Sequence, residues 1–118
     1  MEQKRQIGKR GEELGAHYVK ERGVNIIEKN YSCPFGEIDL IGIDRGTYVF
    51  FEVKYRRTKS FGGPEEAIDI RKQRKISKTA DYYRMKHGLS ERKGFRFDVL
   101  AITEEKITWH KNAFEYRK

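Results

Sequence analysis

The fold is decided by residues 36–54, which read GEIDLIGIDRGTYVFFEVK. Two apolar segments flank the dipeptide Arg45-Gly46, and a two-residue turn at that point predicts a β-hairpin. Counted outward from this turn, Asp39 faces Glu52. The hairpin is therefore expected to bring two carboxylates, distant along the chain, directly opposite each other.

The same register places Glu37 opposite Lys54. Because side chains alternate between the faces of a sheet, all four charged groups are expected on one face. Directly opposed carboxylates repel each other and destabilise a sheet. A shared divalent cation offsets this cost, since Mg²⁺ prefers carboxylate, carbonyl and water oxygens. Asp39 and Glu52 are therefore candidate metal ligands.

Lys54 adds a positive charge beside this candidate metal site. A lysine in that position can orient a water molecule or stabilise developing negative charge. Together with Asp39 and Glu52 it predicts a metal-dependent site that cleaves phosphodiester bonds. The alternative is an internal ion-pair cluster in which Lys54 neutralises the acids without any chemistry.

The remaining pattern predicts a helix, three strands, a helix and two strands. The first strand is expected to be short, with a turn from Asn30 to Phe35, and Ile38 and Leu40 are expected to share the apolar face of the hairpin. This order predicts an α/β sandwich, αβββαββ, with a mixed central sheet in a single domain, residues 1–118. The predicted bounds are 3–22, 24–28, 37–43, 47–55, 70–87, 94–103 and 106–110.

The composition favours a polyanionic partner; the alternative is that the charge serves solubility alone. Charged residues make up 37% of the chain and the net charge is +8, which steers the protein towards nucleic acid and stabilises the complex through counterion release. No apolar run is long enough to span a membrane, and no secretory leader is evident at the N-terminus. The single Cys33 cannot form an internal disulfide, which is typical of the cytoplasm.

Two basic segments follow the hairpin and are candidate contacts with a phosphate backbone. One is the loop after Lys54; the other is one side of the helix over residues 70–87, which Asp69 is expected to cap. The inward stripe of that helix is expected to be Gln73, Ile76, Ala80 and Tyr83. The loop could equally be a solvated connector. On the helix, phosphate contact is favoured over an ordinary solvated face. The residues concerned are Arg56, Arg57 and Lys59 in the loop, and Arg71, Lys72, Arg74, Lys75 and Lys78 on the helix.

Asp98 lies among apolar residues and could line the site, but it is predicted to be a structural acid, bonded to the backbone or to an arginine. The three histidines have no common spacing that would indicate a zinc site. Trp109 is expected to serve packing.

Four ordered motifs resemble the YraN-like bacterial family, whose fold is similar to that of restriction endonucleases. The motifs are Gly8-Lys9-Arg10-Gly11-Glu12, Gly36-Glu37-Ile38-Asp39-Leu40-Ile41, Phe51-Glu52-Val53-Lys54 and Arg96-Phe97-Asp98-Val99. The wider resemblance is to the PD-(D/E)xK nucleases, above all to archaeal Holliday-junction resolvases.

This resemblance implies a role for each site residue. Asp39 and Glu52 match the metal-binding acids, Lys54 matches the catalytic lysine, and Glu12 matches an additional acid near the metal. The backbone carbonyl of Val53 is the expected third protein ligand for Mg²⁺ or Mn²⁺. The implied substrate is branched or structured DNA rather than RNA, and a two-fold-symmetric junction would suit a homodimer.

Two other functions remain open at this point. One is a nucleic-acid-binding module that keeps the nuclease fold without turnover. The other is a ribosome-associated RNA-binding protein, which basicity alone suggests. Cleavage assays and the preference between RNA and DNA separate these possibilities from a nuclease.

Overall fold

A computed structural model describes residues 4–55, 68–89, 93–104 and 106–118. Within them the helices and strands follow the order αβββαββ that the sequence predicts for a restriction-endonuclease-like sandwich. The bounds are α1 Lys4–Glu21, β1 Asn25–Cys33, β2 Gly36–Asp44, β3 Thr47–Tyr55, α2 Ile70–Lys86, β4 Phe95–Ile102 and β5 Ile107–Phe114. None of the helices in these described ranges has the length and apolar character needed to cross a bilayer.

The five strands form one sheet in the order β1-β2-β3-β4-β5. β3 and β4 run parallel and every other neighbouring pair is antiparallel, so the predicted mixed sheet is confirmed. A parallel pair requires a long crossover connection, and α2 lies within that connection.

Each face of the sheet is covered by a helix. Ala16 and Val19 of α1 pack with Leu40 and Phe51 in one buried cluster, called the α1-side cluster. A second cluster, the α2-side cluster, lies on the other face. It contains Ile76, Ala80 and Tyr83 of α2 and strand residues that include Ile41, Phe50 and Phe97. A sheet that is apolar on both faces needs this double cover.

The hairpin register is confirmed over the turn-proximal half of the two strands. Arg45 and Gly46 have φ values of 52° and 85°, as a type I′ turn requires. The antiparallel ladder then runs through five pairs, from Asp44–Thr47 to Leu40–Phe51.

The apolar faces differ from the prediction at Ile38. Ile38 and Ile41 both lie in the α2-side cluster, whereas Leu40 lies in the α1-side cluster. Strict alternation cannot place residues three apart on the same face, so β2 changes its orientation at Asp39. The expectation that Ile38 and Leu40 share a face is therefore wrong.

The first strand is also longer than predicted. The residues expected to form a turn from Asn30 onward continue β1 as far as Cys33. In the β1–β2 ladder, Lys29 pairs with Leu40 and Tyr31 with Ile38. Asn30, with a left-handed φ of 53°, therefore lies beside Asp39, where β2 changes its orientation.

Helix α2 begins and packs as its sequence predicts. The Asp69 carboxylate accepts a hydrogen bond from the Lys72 N–H at 2.8 Å and caps the N-terminus. The predicted inward stripe is buried: Gln73, Ile76, Ala80 and Tyr83. The opposite side of α2 is left facing solvent.

Two glycines permit close packing around the site. A Cβ atom at Gly15 would lie 3.0 Å from a methyl group of Leu100, so α1 lies tightly against the sheet. At Gly42 the space is smaller still. A Cβ atom there would lie 2.7 Å from Val24 Cγ1 and 3.1 Å from the Asn25 carbonyl oxygen.

Gly42→Ala is therefore expected to lower the free energy of unfolding by about 1–3 kcal/mol, because the added methyl group overpacks the β1–β2 contact. Urea denaturation measures this change. The matched control is Gly94→Ala, where the new Cβ atom would meet its nearest neighbour, Thr47 Oγ1, only at 3.8 Å. Equal stability losses at the two positions would contradict the packing argument.

Candidate functional site

The Asp39 carboxylate lies at the point where β2 separates from β3. If the antiparallel ladder continued, the backbone carbonyl oxygen of Ile38 would accept a hydrogen bond from the Val53 N–H group. The Val53 N–H instead donates to Asp39 Oδ2 at 2.7 Å. A side-chain carboxylate thus takes the place of a backbone acceptor between the two strands.

The direction of this hydrogen bond also fixes the direction of the Val53 carbonyl. In an extended strand the N–H and C=O groups of one residue point to the same edge. The Val53 carbonyl is therefore directed towards the gap that holds the Asp39 carboxylate. One carboxylate and one carbonyl, both suitable oxygen ligands, border the same opening.

Glu12 of α1 approaches this gap from one side of the sheet. Burial, followed by the negative charge of Asp39, raises the pKa of Glu12 to about 7. A hydrogen bond between the two carboxyl groups raises the pKa of Glu12 and lowers that of Asp39. The Asn30 side chain also bonds to Glu12.

Glu52 approaches the same gap on the side covered by α2. Its Oε1 atom lies 3.4 Å from Lys72 Nζ and 3.7 Å from Lys54 Nζ. The side chain is only 6% exposed. Burial, followed by the charge of Asp39, raises the pKa of Glu52 to about 7 in spite of both lysines.

Asp39 itself carries the same signature of a crowded acidic site. Its pKa is raised, chiefly by burial, while the Val53 N–H and the charge of Lys72 act in the opposite direction. Three acids from three elements therefore share this gap, and burial is the largest cause of the raised pKa of each.

The structure corrects the predicted arrangement of the four charged residues. Asp39 lies in the gap between the strands rather than on the face that carries Glu52, and the Glu37–Lys54 pair is not formed. Lys54 contacts Glu52, whereas Glu37 is exposed and raises the pKa of Asp39 and Glu12 through its charge. The change of orientation at Asp39 ends the regular register before these pairs are reached.

Two residues of this site have roles that the sequence did not indicate. Asn30 was expected in a turn, and Lys72 was expected to contact phosphates from a basic helix face. The position of Asn30 opposite Asp39 follows only from the β1–β2 register. The sequence did contain one indication for Lys72. It is the third residue after the N-cap Asp69, and the side chain at that position of the helix turns towards Glu52.

The donor set fits a cation that keeps much of its water. Among the described residues no three His, Cys, Asp or Glu side chains are close enough together to enclose an ion. Mg²⁺ commonly binds through one or two carboxylates and retains several water molecules. Asp39, Glu52 and the Val53 carbonyl match that pattern. The pKa of both carboxyl groups is raised, chiefly by burial.

The predicted basic face of α2 is exposed. It consists of Arg71, Arg74, Lys75 and Lys78. Lys72 is set apart from them because its ammonium group turns towards Glu52. The other candidate phosphate contacts, Arg56, Arg57 and Lys59, lie outside the described residues.

Asp98 belongs to a separate, structural cluster, as predicted. It is fully buried and accepts hydrogen bonds from Arg96 Nε at 3.0 Å, Trp109 Nε1 at 2.9 Å and the Asn112 N–H at 2.8 Å. The Arg96 guanidinium also binds Asp44 and lowers the pKa of that carboxyl group. Trp109 packs against Phe51, so its predicted packing role is confirmed.

Asp98→Asn is expected to lower the free energy of unfolding by about 3 kcal/mol or more, because it leaves buried donors facing a neutral group. Thermal unfolding followed by circular dichroism measures the effect. Asp69→Asn is the matched control, since asparagine caps a helix as well as aspartate does. Similar losses for both variants would contradict the structural role of Asp98.

The histidines and the cysteine lie in different parts of the fold. His17 Nε2 is 2.7 Å from Glu21, and His87 Nδ1 is 3.0 Å from the Tyr83 carbonyl. His110 pairs with Val99 in the β4–β5 ladder. Cys33 is a free, half-buried thiol at the end of β1.

A family model described as "Uncharacterised protein family UPF0102" matches residues 11–102. Relatives called UPF0102 protein align over most of the chain. The one from Lachnoclostridium phytofermentans is 47% identical over 85% of both chains. The one from Stutzerimonas stutzeri is 39% identical over 98% of this chain and 99% of its own, and the one from Persephonella marina is 43% identical over 92% of both.

Among solved structures, the crystal structure of a repair endonuclease from Pyrococcus abyssi aligns with a TM-score of 0.49 and 18% identity. The alignment covers 87% of this chain and 39% of that chain.

Proposed function

This chain belongs to the UPF0102 family, and we propose that it is a divalent-metal-dependent endonuclease that hydrolyses phosphodiester bonds in DNA. The observation that carries the proposal is the interrupted β2–β3 ladder. It directs the Asp39 carboxylate into the gap next to Val53. Glu52 lies close enough to Asp39 for the charge of Asp39 to raise the pKa of Glu52.

Asp39, Glu52 and the Val53 carbonyl would hold Mg²⁺ or Mn²⁺. Such an ion polarises a phosphate and lowers the pKa of a bound water molecule. The protein's own contribution is to keep these oxygens together at a cost to its stability. Burial raises the pKa of both carboxyl groups, and the charge of Asp39 raises that of Glu52 further, so a bound cation would offset the cost of ionising them.

The two lysines beside Glu52 have different tasks in this proposal. Lys54 shares a strand with Glu52 and its side chain is 25% exposed, so it would orient the attacking water or stabilise charge that develops on the phosphate. Lys72 is more exposed and comes from α2. When DNA binds, the Lys72 ammonium group would leave the Glu52 carboxylate and contact a phosphate oxygen instead.

Glu12 is the proton-holding group of the site. Its pKa of about 7 lies close to physiological pH, which is where a general acid or base works best. Its hydrogen bond to Asp39 would help to orient the Asp39 carboxylate. Asn30 would act as a positioning residue through its bond to Glu12.

The basic face of α2 would position the DNA backbone. Arg71, Arg74, Lys75 and Lys78 are exposed along the same helix that carries Lys72. Backbone contacts of this kind fix register without reading sequence. Branched or structured DNA is the preferred substrate through the resemblance to resolvases, and a homodimer would suit such a junction.

The test is a cleavage assay with Mg²⁺ or Mn²⁺ on branched, single-stranded and duplex DNA. The proposal expects metal-dependent cleavage that is fastest on a branched substrate and stops in chelator. Calorimetric titration with Mn²⁺ should detect binding to the wild type and not to Asp39→Asn. The proposal is overturned if Asp39→Ala and Lys54→Ala cleave at the wild-type rate.

A second candidate function is a nucleic-acid-binding module without turnover. The contacts of Glu52 with Lys54 and Lys72 favour it, because the same contacts describe a structural ion-pair cluster. Binding of all three DNAs with no cleavage under any metal would establish this alternative. Tighter binding to RNA than to DNA in a salt titration would favour the third, RNA-binding hypothesis.

A further inference from the structure

A second recessed site lies on α2, away from the acidic gap. A cavity of about 360 Å³ is lined by Phe35, Lys78, Asp81, Tyr82 and Met85, and is called here the aromatic pocket. Phe35 comes from the turn between β1 and β2, and the other four residues come from α2. The pocket therefore brings two elements together at the surface.

The walls of the aromatic pocket are apolar and open to solvent. The Phe35 side chain is 50% exposed and that of Met85 is 69% exposed. The Phe35 and Tyr82 rings meet edge to face, with centroids 6.0 Å apart. A flat, apolar ligand could stack here.

The rim of the pocket is mostly positive. Lys78 lines it, and the Lys86 ammonium group lies 5.5 Å from the centre of the Tyr82 ring. The single acid, Asp81, is engaged by the Tyr116 hydroxyl and lies 3.8 Å from Arg84. An occupant that carries negative charge beside its flat part therefore complements this surface.

The aromatic pocket continues the basic face of α2. Lys78, Tyr82 and Met85 follow one another at helical spacing, in line with the basic residues nearer the N-terminus of α2. At a rise of about 1.5 Å per residue, Tyr82 lies about 15 Å beyond Lys72 along the helix axis. This spacing corresponds to about four nucleotide steps of about 3.4 Å each.

We propose that the aromatic pocket binds an unpaired base of a DNA strand whose phosphates follow the basic face of α2 towards Glu52. Base stacking on exposed aromatic side chains beside lysines is the general mode of single-strand recognition. The inference rests on the proposed nucleic-acid function and narrows its substrate to DNA with an unpaired segment near the scissile bond.

A second copy of the chain is the less favoured occupant. A two-fold contact through this surface would bring identical patches together and so oppose Lys75, Lys78 and Lys86 of one copy to those of the other. The exposed apolar residues, Phe35 and Met85, are also few compared with the 20–30 residues per side (roughly) of a stable interface.

The test measures binding in chelator, so that cleavage plays no part. The probes are a single-stranded oligonucleotide that contains 2-aminopurine, whose fluorescence is quenched when the base stacks, and a matched duplex. The variants are Phe35→Ala and Met85→Ala. The control is Ile27→Ala, which truncates a similarly exposed apolar residue (37%) on β1.

Wild type is expected to quench the probe. Phe35→Ala and Met85→Ala should each weaken single-strand binding about tenfold, within the range found when a stacking side chain is truncated, with a much smaller effect on the duplex. Ile27→Ala should bind both DNAs as wild type does. Circular dichroism checks that each variant is folded.

Three results would overturn the inference. The first is that Phe35→Ala and Met85→Ala quench the probe and bind it as wild type does. The second is that Ile27→Ala loses as much single-strand affinity as these two variants. The third is a dimer that Phe35→Ala dissociates, seen by sedimentation, with no change in DNA affinity. Stacking without any cleavage would support this site while the nuclease proposal fails, so the two failures are distinguishable.

Discussion

Glu52→Gln and Asp39→Asn are each expected to lower the rate of DNA cleavage by about 10²–10³-fold or more, the loss that follows removal of one preorganised electrostatic group. Both substitutions keep the shape of the side chain and remove its charge. Asp39 would lose its charge next to the Val53 N–H, and Glu52 would lose its charge between two lysines. Neither change removes a positive residue that could contact DNA.

The measurement is single-turnover cleavage at saturating DNA, accompanied by binding in chelator. DNA affinity should remain at the wild-type level or increase, because a negative charge has been removed. Glu115→Gln is the matched control, since it removes the same charge from an exposed residue at the end of the chain and should cleave normally. Cleavage by Glu52→Gln at the rate of Glu115→Gln would show that Glu52 holds no catalytic ion.

The same Glu52→Gln substitution is expected to stabilise the metal-free protein at pH 8 by about 2–3 kcal/mol. The pKa of Glu52 is about 7 in the folded chain and 4.5 ordinarily. The folded state therefore holds this proton more tightly than the unfolded state. The free energy of unfolding falls as the pH rises from about 4.5 to about 7, and above that range the full cost is present.

Urea denaturation in chelator at several pH values between 5 and 8 measures this effect. The difference between Glu52→Gln and wild type should be small at pH 5 and largest at pH 8, because only wild type must ionise a buried, repelled carboxyl group. Glu115→Gln should follow wild type at every pH. Added Mg²⁺ should raise the stability of wild type more than that of Glu52→Gln, since a ligand stabilises the state that binds it.

The raised pKa of Glu52 would be contradicted if the free energy of unfolding of wild type, relative to that of Glu52→Gln, stayed constant or rose between pH 5 and pH 8. Loss of activity together with a gain in stability is the pattern expected of groups kept for function at the expense of folding. A purely structural ion pair predicts the opposite, because removing one partner of a buried pair is destabilising. The activity and the stability of Glu52→Gln together thus separate the metal site from the ion-pair cluster.

The proximal half of the hairpin could be predicted because its information is local. Arg45 and Gly46 adopt the left-handed angles of a type I′ turn, and such a turn sets the register of the residues next to it. The N-cap at Asp69 and the buried stripe of α2 follow from equally short-range rules. The element order αβββαββ follows from the hydrophobic periodicity of each segment.

The candidate site could be predicted only as a set of residues. Asp39, Glu52 and Glu12 are electrostatically connected, but the one-face arrangement expected for Asp39 and Glu52 was wrong. The extension of the hairpin register to Asp39 was based on β3 as the only neighbouring strand of β2. In fact β2 has two, and Asn30 on β1 adopts a left-handed conformation next to Asp39.

By itself, then, the sequence determined which elements form, how the hairpin is aligned near its turn and which acids are candidates for a metal site. Only the tertiary structure decided that the β2–β3 ladder opens at Asp39, that Glu12 and Asn30 meet there, and that Lys72 reaches Glu52. The physical reason is range. A turn acts on adjacent residues, whereas the charge state of a buried carboxylate depends on groups from several segments that packing brings together.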